Sequence, residues 1–156
     1  MRILRLERVG LPAALDKGLQ ATECEYIARL DCDDLCEGGR LGSQRDYLER
    51  HREVHVVGGQ AVVIGEGPAK GASSSGCGAV QECGVLAGNY PTAPLLVHWA
   101  MYFRCSVLHP SVMFRKSVIV QCGSYSNTDI GSGLSAGLSC EHLIEDYSLW
   151  MRVLQR

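Results

Sequence analysis

The spacing of apolar and polar positions divides the chain into alternating helical and extended segments. Leu11, Ala14, Leu15, Gly18 and Leu19 fall on one face at 3.6-residue spacing and predict a helix opened by Gly10-Leu11-Pro12. Pro12 sits in the first turn, where its missing N–H does no harm. Arg40 to Arg52 predicts a second amphipathic helix, with Leu41, Gln44, Tyr47 and Leu48 on one side and charges on the other. Pro94 to Phe103 and Glu141 to Leu154 predict two more, the last with the stripe Leu143, Tyr147, Trp150, Met151 and Leu154. Extended segments are expected at Met1–Leu6, at Glu25–Leu30 and at Val54–Ile64, the third bent at Gly58-Gly59. A short run, Cys105 to Leu108, leads into His109–Arg115. Strands alternating with helices imply an α/β domain with a mainly parallel sheet and flanking helices. Two stretches break the pattern. Residues 65–88 hold seven glycines and the run Ser73-Ser74-Ser75, and residues 131–139 are again rich in Gly and Ser. Both predict flexible insertions, at about 65–89 and 127–140, within a single domain spanning 1–156.

Composition narrows the classes. The 156 residues suit one domain, and 46% hydrophobic with 21% charged residues is a globular balance. A net charge of -2 argues against a strongly basic nucleic-acid binder. No apolar run reaches the roughly 18 residues of a membrane-spanning helix. The first eight residues alternate charge and apolarity and lack a signal-peptide core, so a cytoplasmic location, or one against a membrane face, is favoured. Eight cysteines are present, but no C-x-x-C pair; the nearest spacings are Cys32-x3-Cys36 and Cys77-x5-Cys83, with Cys140-x-His142 far away. Zinc knuckles are usually tighter. Reduced, mostly buried thiols are the expectation, ahead of disulfides or a zinc module.

The segment that carries chemistry is Asp31-Cys32-Asp33-Asp34, at the end of a predicted buried strand. In a strand, residues two apart point to the same side, so Asp31 and Asp33 can converge just past the sheet's carboxyl edge. Two like charges held together repel, and something cationic should offset them. Clustered carboxylates suit hard cations such as Mg2+, Mn2+ or Ca2+, which commonly share one or two carboxylates with substrate phosphates. The other reading is a solvated acidic turn, with Asp34 capping the helix that follows.

Tyr26-Ile27-Ala28-Arg29-Leu30-Asp31-Cys32-Asp33-Asp34, followed by Arg40-Leu41 and Gln44, resembles the metal-motif segment of family 2 glycosyltransferases, the inverting GT-A enzymes. Gly10 to Leu19 is similar to the helix preceding that segment, and Val56-Val57-Gly58 to the strand following it. His109-Pro110-Ser111-Val112-Met113-Phe114-Arg115 resembles the family's H-P-S-x-M-x-R, and Glu145-Asp146-Tyr147-Ser148-Leu149-Trp150-Met151-Arg152 its E-D-Y-x-L-W-x-R helix start. Four segments in the right order are more specific than any one. The likeness covers about residues 5–64 and 94–152.

The resemblance implies a GT-A, Rossmann-like fold and transfer of a sugar from a nucleotide-diphosphate sugar to an acceptor hydroxyl, with inversion. The acceptor, whether saccharide, lipid or protein, stays open. Asp31 and Asp33 match the D-x-D pair that contacts the nucleotide and a divalent ion, Mn2+ or Mg2+, with Asp34 beside them. Asp146 matches the general base, with Glu145 next to it. His109 is placed to ligate metal or touch a phosphate, or only to set a turn before Pro110. Arg115 suits a phosphate contact or a surface charge, and Trp150 and Tyr147 suit core packing ahead of sugar stacking. The family's opening strand, V-S-I-I-I-P-x-Y-N, and its D-D-G-S strand end have no counterpart, and Arg8 stands where the family often has Asn. The expectation is therefore an incomplete catalytic domain with exposed sheet edges. The alternative is a catalytically inactive remnant that binds a partner.

Overall fold

The computed structural model describes residues 3–65, 81–86, 89–126 and 145–156. Helix α1 spans Leu11–Gln20 and is entered through Gly10 at φ +80°, a left-handed conformation that glycine adopts without a Cβ clash. Strand β1 (Tyr26–Ala28) follows, then helix α2 (Arg40–Arg50) and strand β2 (Val56–Val57). Strands β3 (Val62–Gly65) and β4 (Gln81–Leu86) form a separate antiparallel pair. Helix α3 (Pro94–Met101), a 3-10 turn at His109–Ser111, strand β5 (Met113–Arg115), helix α4 (Lys116–Gln121) and helix α5 (Glu145–Leu154) complete the described elements.

The expected mixture of helix and sheet is present, but the strand direction is corrected: every described strand pair is antiparallel. The main sheet has the order β1-β5-β2. Both outer strands run against β5, so β1 and β2 are parallel to one another, joined through α2 as a crossover. Strand β5 is inserted between them and takes their hydrogen bonds. The βαβ unit read from the pattern therefore exists, with its two strands held one place apart.

Other expectations shift as well. Residues 3–6 form no strand and are exposed. The predicted strand Val54–Ile64 divides into β2 and β3, which belong to different sheets. The break lies at Gly58-Gly59, where the chain passes close to the 3-10 turn: a Cβ on Gly58 would meet Val107 Cγ1 at 3.2 Å. Part of the first predicted insertion is ordered as β4, whose internal glycine and lack of alternation hid it. The rest of that insertion, 66–80 and 87–88, lies outside the described residues, as do 127–144, including the second Gly/Ser stretch and the predicted start of the last helix. Among the described residues, Cys24, Cys32, Cys36, Cys105 and Cys122 are free. Three of them, Cys24, Cys32 and Cys36, are exposed, which corrects the expected burial. Cys24 lies just before β1, and Cys32 and Cys36 lie in the segment between β1 and α2.

The core gathers Leu19 of α1, Met101 of α3, Val112 and Phe114 around β5, Ile119 of α4, Tyr125, and Leu149, Trp150 and Met151 of α5. Trp150 is thus packing, as expected, and Tyr147 is half-buried with its hydroxyl donating to the Met101 carbonyl. Helix α2 packs on β2 and β5, and α4 on β5 and α5. Among the described residues no helix is long and apolar enough to cross a membrane.

Candidate functional site

The acidic motif lies just beyond the carboxyl end of β1. Pairing with β5 continues one residue past the strand, Arg29 N–H donating to the Val112 carbonyl at 2.9 Å. The chain then leaves the sheet, and a turn closes from Asp34 N–H to the Asp31 carbonyl at 3.3 Å. Strand alternation therefore does not apply at Asp31 and Asp33, because the two lie in a turn and not in a strand. Asp34 does not cap the next helix either, since the N-cap of α2 is Gly39 at φ +89°. Asp31 is 41% exposed in its side chain and pairs with Arg29. Arg29 is the cation that crowded carboxylates require. Asp33 and Asp34 are exposed.

Whether these groups suit a divalent ion can be judged from the donor set. Among the described residues no group of three or more His, Cys, Asp or Glu side chains comes together to hold one. The exposed carboxylates of the turn do fit an ion that draws its other ligands from water and from a bound phosphate, as Mg2+ usually does.

His109 stands in the 3-10 turn before β5 and is buried, at 8% exposure. Its Nε2 is hydrogen-bonded to the Tyr125 hydroxyl at 3.1 Å, and its ring meets Trp150 edge-on at 5.9 Å. Burial and then the Arg29 charge push its pKa down to about 4, while Glu145 and Asp31 pull the other way. The imidazole is therefore neutral at pH 7. Burial likewise raises the Tyr125 phenol, and among the charges acting on it are Arg29, Asp146 and Glu145. The acidic turn after β1 and the acidic start of α5 thus act on one buried His–Tyr pair. Asp146 accepts the Tyr147 N–H on Oδ1 at 2.7 Å. Glu145 and Asp146 lie in the first turn of α5, where the helix dipole favours negative charge. Near that turn, burial pushes the Cys105 thiol up to about 11, with Asp146 adding to the effect.

Tyr125 is itself pinned. Asp16 of α1 accepts N–H bonds from Tyr125 at 2.8 Å and Ser126 at 2.9 Å, and Arg152 of α5 donates to the Ser124 carbonyl at 2.9 Å. Sequence reasoning passed over Arg29, Tyr125 and Asp16. The signal for Arg29 was available in the need for a neutralising cation; nothing local to the sequence marks Tyr125.

Arg115 is neither a surface charge nor turned toward the acidic turn. It is 7% exposed and donates from Nε to the Val54 carbonyl (3.1 Å) and from Nη1 to the Tyr26 hydroxyl (3.0 Å). Nη1 also reaches Glu25, and Nη2 the carbonyls of Leu48 and His51. It clamps β1, α2 and the approach to β2. Arg40 and Gln44 act similarly. Arg40 donates to the Pro110 and Arg29 carbonyls at 2.9 and 3.0 Å, and Gln44 to the Ser111 carbonyl at 2.7 Å. Ser111 Oγ accepts the Gly59 N–H at 2.9 Å and lies 2.7 Å from the Leu108 carbonyl. The R-L-x-x-Q and H-P-S segments thus hold each other, and together they fix Arg29 and His109.

Comparison with known proteins places this arrangement. The model of Glycosyl transferase family 2 matches residues 1–118. An uncharacterized glycosyltransferase of Haemophilus influenzae is 28% identical over 93% of this chain and 44% of its own length. The amylovoran biosynthesis glycosyltransferase AmsE of Erwinia amylovora is 29% identical over 97% of this chain and 47% of its own, a match wide enough to take in the start of α5. A UDP-Gal:alpha-D-GlcNAc-diphosphoundecaprenol beta-1,3-galactosyltransferase of Escherichia coli is 24% identical over 95% of this chain and 44% of its own. The chain spans about half the length of these curated relatives. No solved structure matches significantly. With three quarters of the sequence inside one family model, the chain belongs to Glycosyl transferase family 2.

Proposed function

We propose that the chain carries the donor and base side of a site that moves a sugar from a nucleotide-diphosphate sugar to an acceptor hydroxyl, with inversion. The observation that supports this best is the family match over residues 1–118, with charges from both acidic motifs acting on the buried His109. Asp31 and Asp33 would hold a divalent ion, Mn2+ or Mg2+, which when bound neutralises charge on the departing diphosphate. Asp34 lies beside them to contact the nucleotide. Asp146 Oδ2 takes the acceptor's proton while Oδ1 stays on the Tyr147 N–H. The acceptor oxygen attacks the anomeric carbon, and the bond from that carbon to the diphosphate breaks, its electron pair leaving with the nucleoside diphosphate. One displacement inverts the centre, so one base suffices and no enzyme nucleophile is needed. Glu145 adds negative charge beside the base. His109 and Phe114 both pack against the buried Trp150 ring.

Asp146→Asn tests the base directly. Sugar transfer should fall at least a hundredfold, the scale of a lost general base, with UDP affinity nearly unchanged. Full turnover in that variant would remove Asp146 from the mechanism. A second reading, a non-catalytic binding protein, is favoured by the outward side of α3 and the turn after it, where Leu95, Trp99 and Phe103 are 78%, 63% and 71% exposed. Sugar transfer by the purified 156-residue chain would rule that reading out.

A further inference from the structure

Arg29 has the least committed side chain of the site. Its backbone is fixed on both sides: the N–H donates to Val112, and the carbonyl accepts from Arg40 Nη2 at 3.0 Å. The side chain is only 11% exposed, and among the described residues its hydrogen-bonded partner is Asp31. A guanidinium offers five donors in a planar fork. Arg115, similarly buried, spends its own on five acceptors of the chain, whereas Arg29 spends one of its nitrogens on one carboxylate. A mostly buried guanidinium with donors left over that still reach solvent can take up an anion. Its position agrees: the Arg29 charge acts on His109 and Tyr125, the same two groups that Glu145 reaches, so it lies where the two acidic motifs meet.

A divalent cation on Asp31 would compete with the Arg29 guanidinium for the charge of the same carboxylate. We propose that Arg29 is a two-position anchor: it neutralises Asp31 while the donor site is empty, and it binds the donor's diphosphate once a divalent ion has taken over that carboxylate. This rests on the reading of Asp31 and Asp33 as ion ligands. The fork geometry suits two phosphate oxygens, which a lysine could not grip in the same way.

Calorimetry on the full chain separates the two roles, with Mn2+ alone as the first titrant and UDP in saturating Mn2+ as the second. Arg29→Gln should bind Mn2+ alone several-fold more tightly than wild type, because the internal competitor is gone. It should bind UDP about tenfold more weakly, the scale of one charge-assisted bond. Arg29→Lys keeps the charge without the fork and carries the test if the glutamine variant does not fold. Weaker UDP binding in it supports the anchor, and wild-type UDP affinity overturns it. Melting temperatures of the folded variants within a few degrees of wild type exclude a general loosening of the turn. Wild-type affinity for both titrants in Arg29→Gln overturns the anchor and leaves the ion site standing. Mn2+ affinity that survives both Asp31→Ala and Asp33→Ala overturns the ion site, and the anchor with it.

Discussion

At the scale of single residues, the site depends on polar side chains that the fold has taken out of water. His109 is the clearest case. Its folded pKa, about 4, lies below the ordinary value of 6.5, first because of burial and then because of Arg29. The unfolded chain therefore takes up a proton that the folded chain refuses. The contribution to stability is intact above pH 6.5 and is lost as the pH falls from 6.5 toward 4. The full difference is about 3 kcal/mol. Urea unfolding at intervals from pH 7 to pH 4 should show this loss in wild type and a much shallower slope in His109→Gln. Parallel slopes in the two proteins would show that His109 is not held neutral. Arg115 teaches a related lesson. In the sequence it is an arginine of a family motif, open to a phosphate role, yet its donors are consumed by β1, α2 and the chain entering β2. A motif position can be fixed by the fold as firmly as by chemistry.

At the scale of elements, the first three helices were legible, while α4 and the order of the sheet were not. Helices α1, α2 and α3 follow the apolar spacing within a residue or two of the expected ends, because each buries one stripe against the core. Leu19 of α1, Leu48 of α2 and Met101 of α3 are the points of contact. Strand order was invisible because β5 comes from far along the chain and enters between β1 and β2, a long-range pairing that no local period encodes. The acidic turn was legible as a motif but not as a shape: alternation predicted two carboxylates converging from a strand, and the strand ends before them. The coupling of α2 to the H-P-S turn was likewise hidden, since it runs through Gln44 and Arg40 to backbone carbonyls, which any sequence possesses. Removing that link has a measurable cost. Gln44→Ala gives up the bond to the Ser111 carbonyl in a buried setting and should destabilise the fold by about 1–3 kcal/mol. A melting temperature lowered by several degrees would register it. An unchanged melting temperature would mean that Arg40 and apolar packing hold α2 to the 109–111 turn without help from Gln44.

At the scale of the whole molecule, a small three-stranded sheet carries the acidic turn beyond β1, and charges from that turn and from the start of α5 act on the buried His109. Family membership follows from the family model that matches three quarters of the chain; the proposed working of the site rests on the acidic turn. Titration of the 156-residue chain with UDP, in Mn2+ and again in EDTA, puts that claim to the most direct test. Binding should require the metal and should weaken at least tenfold in Asp31→Ala and in Asp33→Ala, each of which removes one of the ion's carboxylates. UDP affinity that is the same in EDTA as in Mn2+, or unmoved by either substitution, would contradict the account.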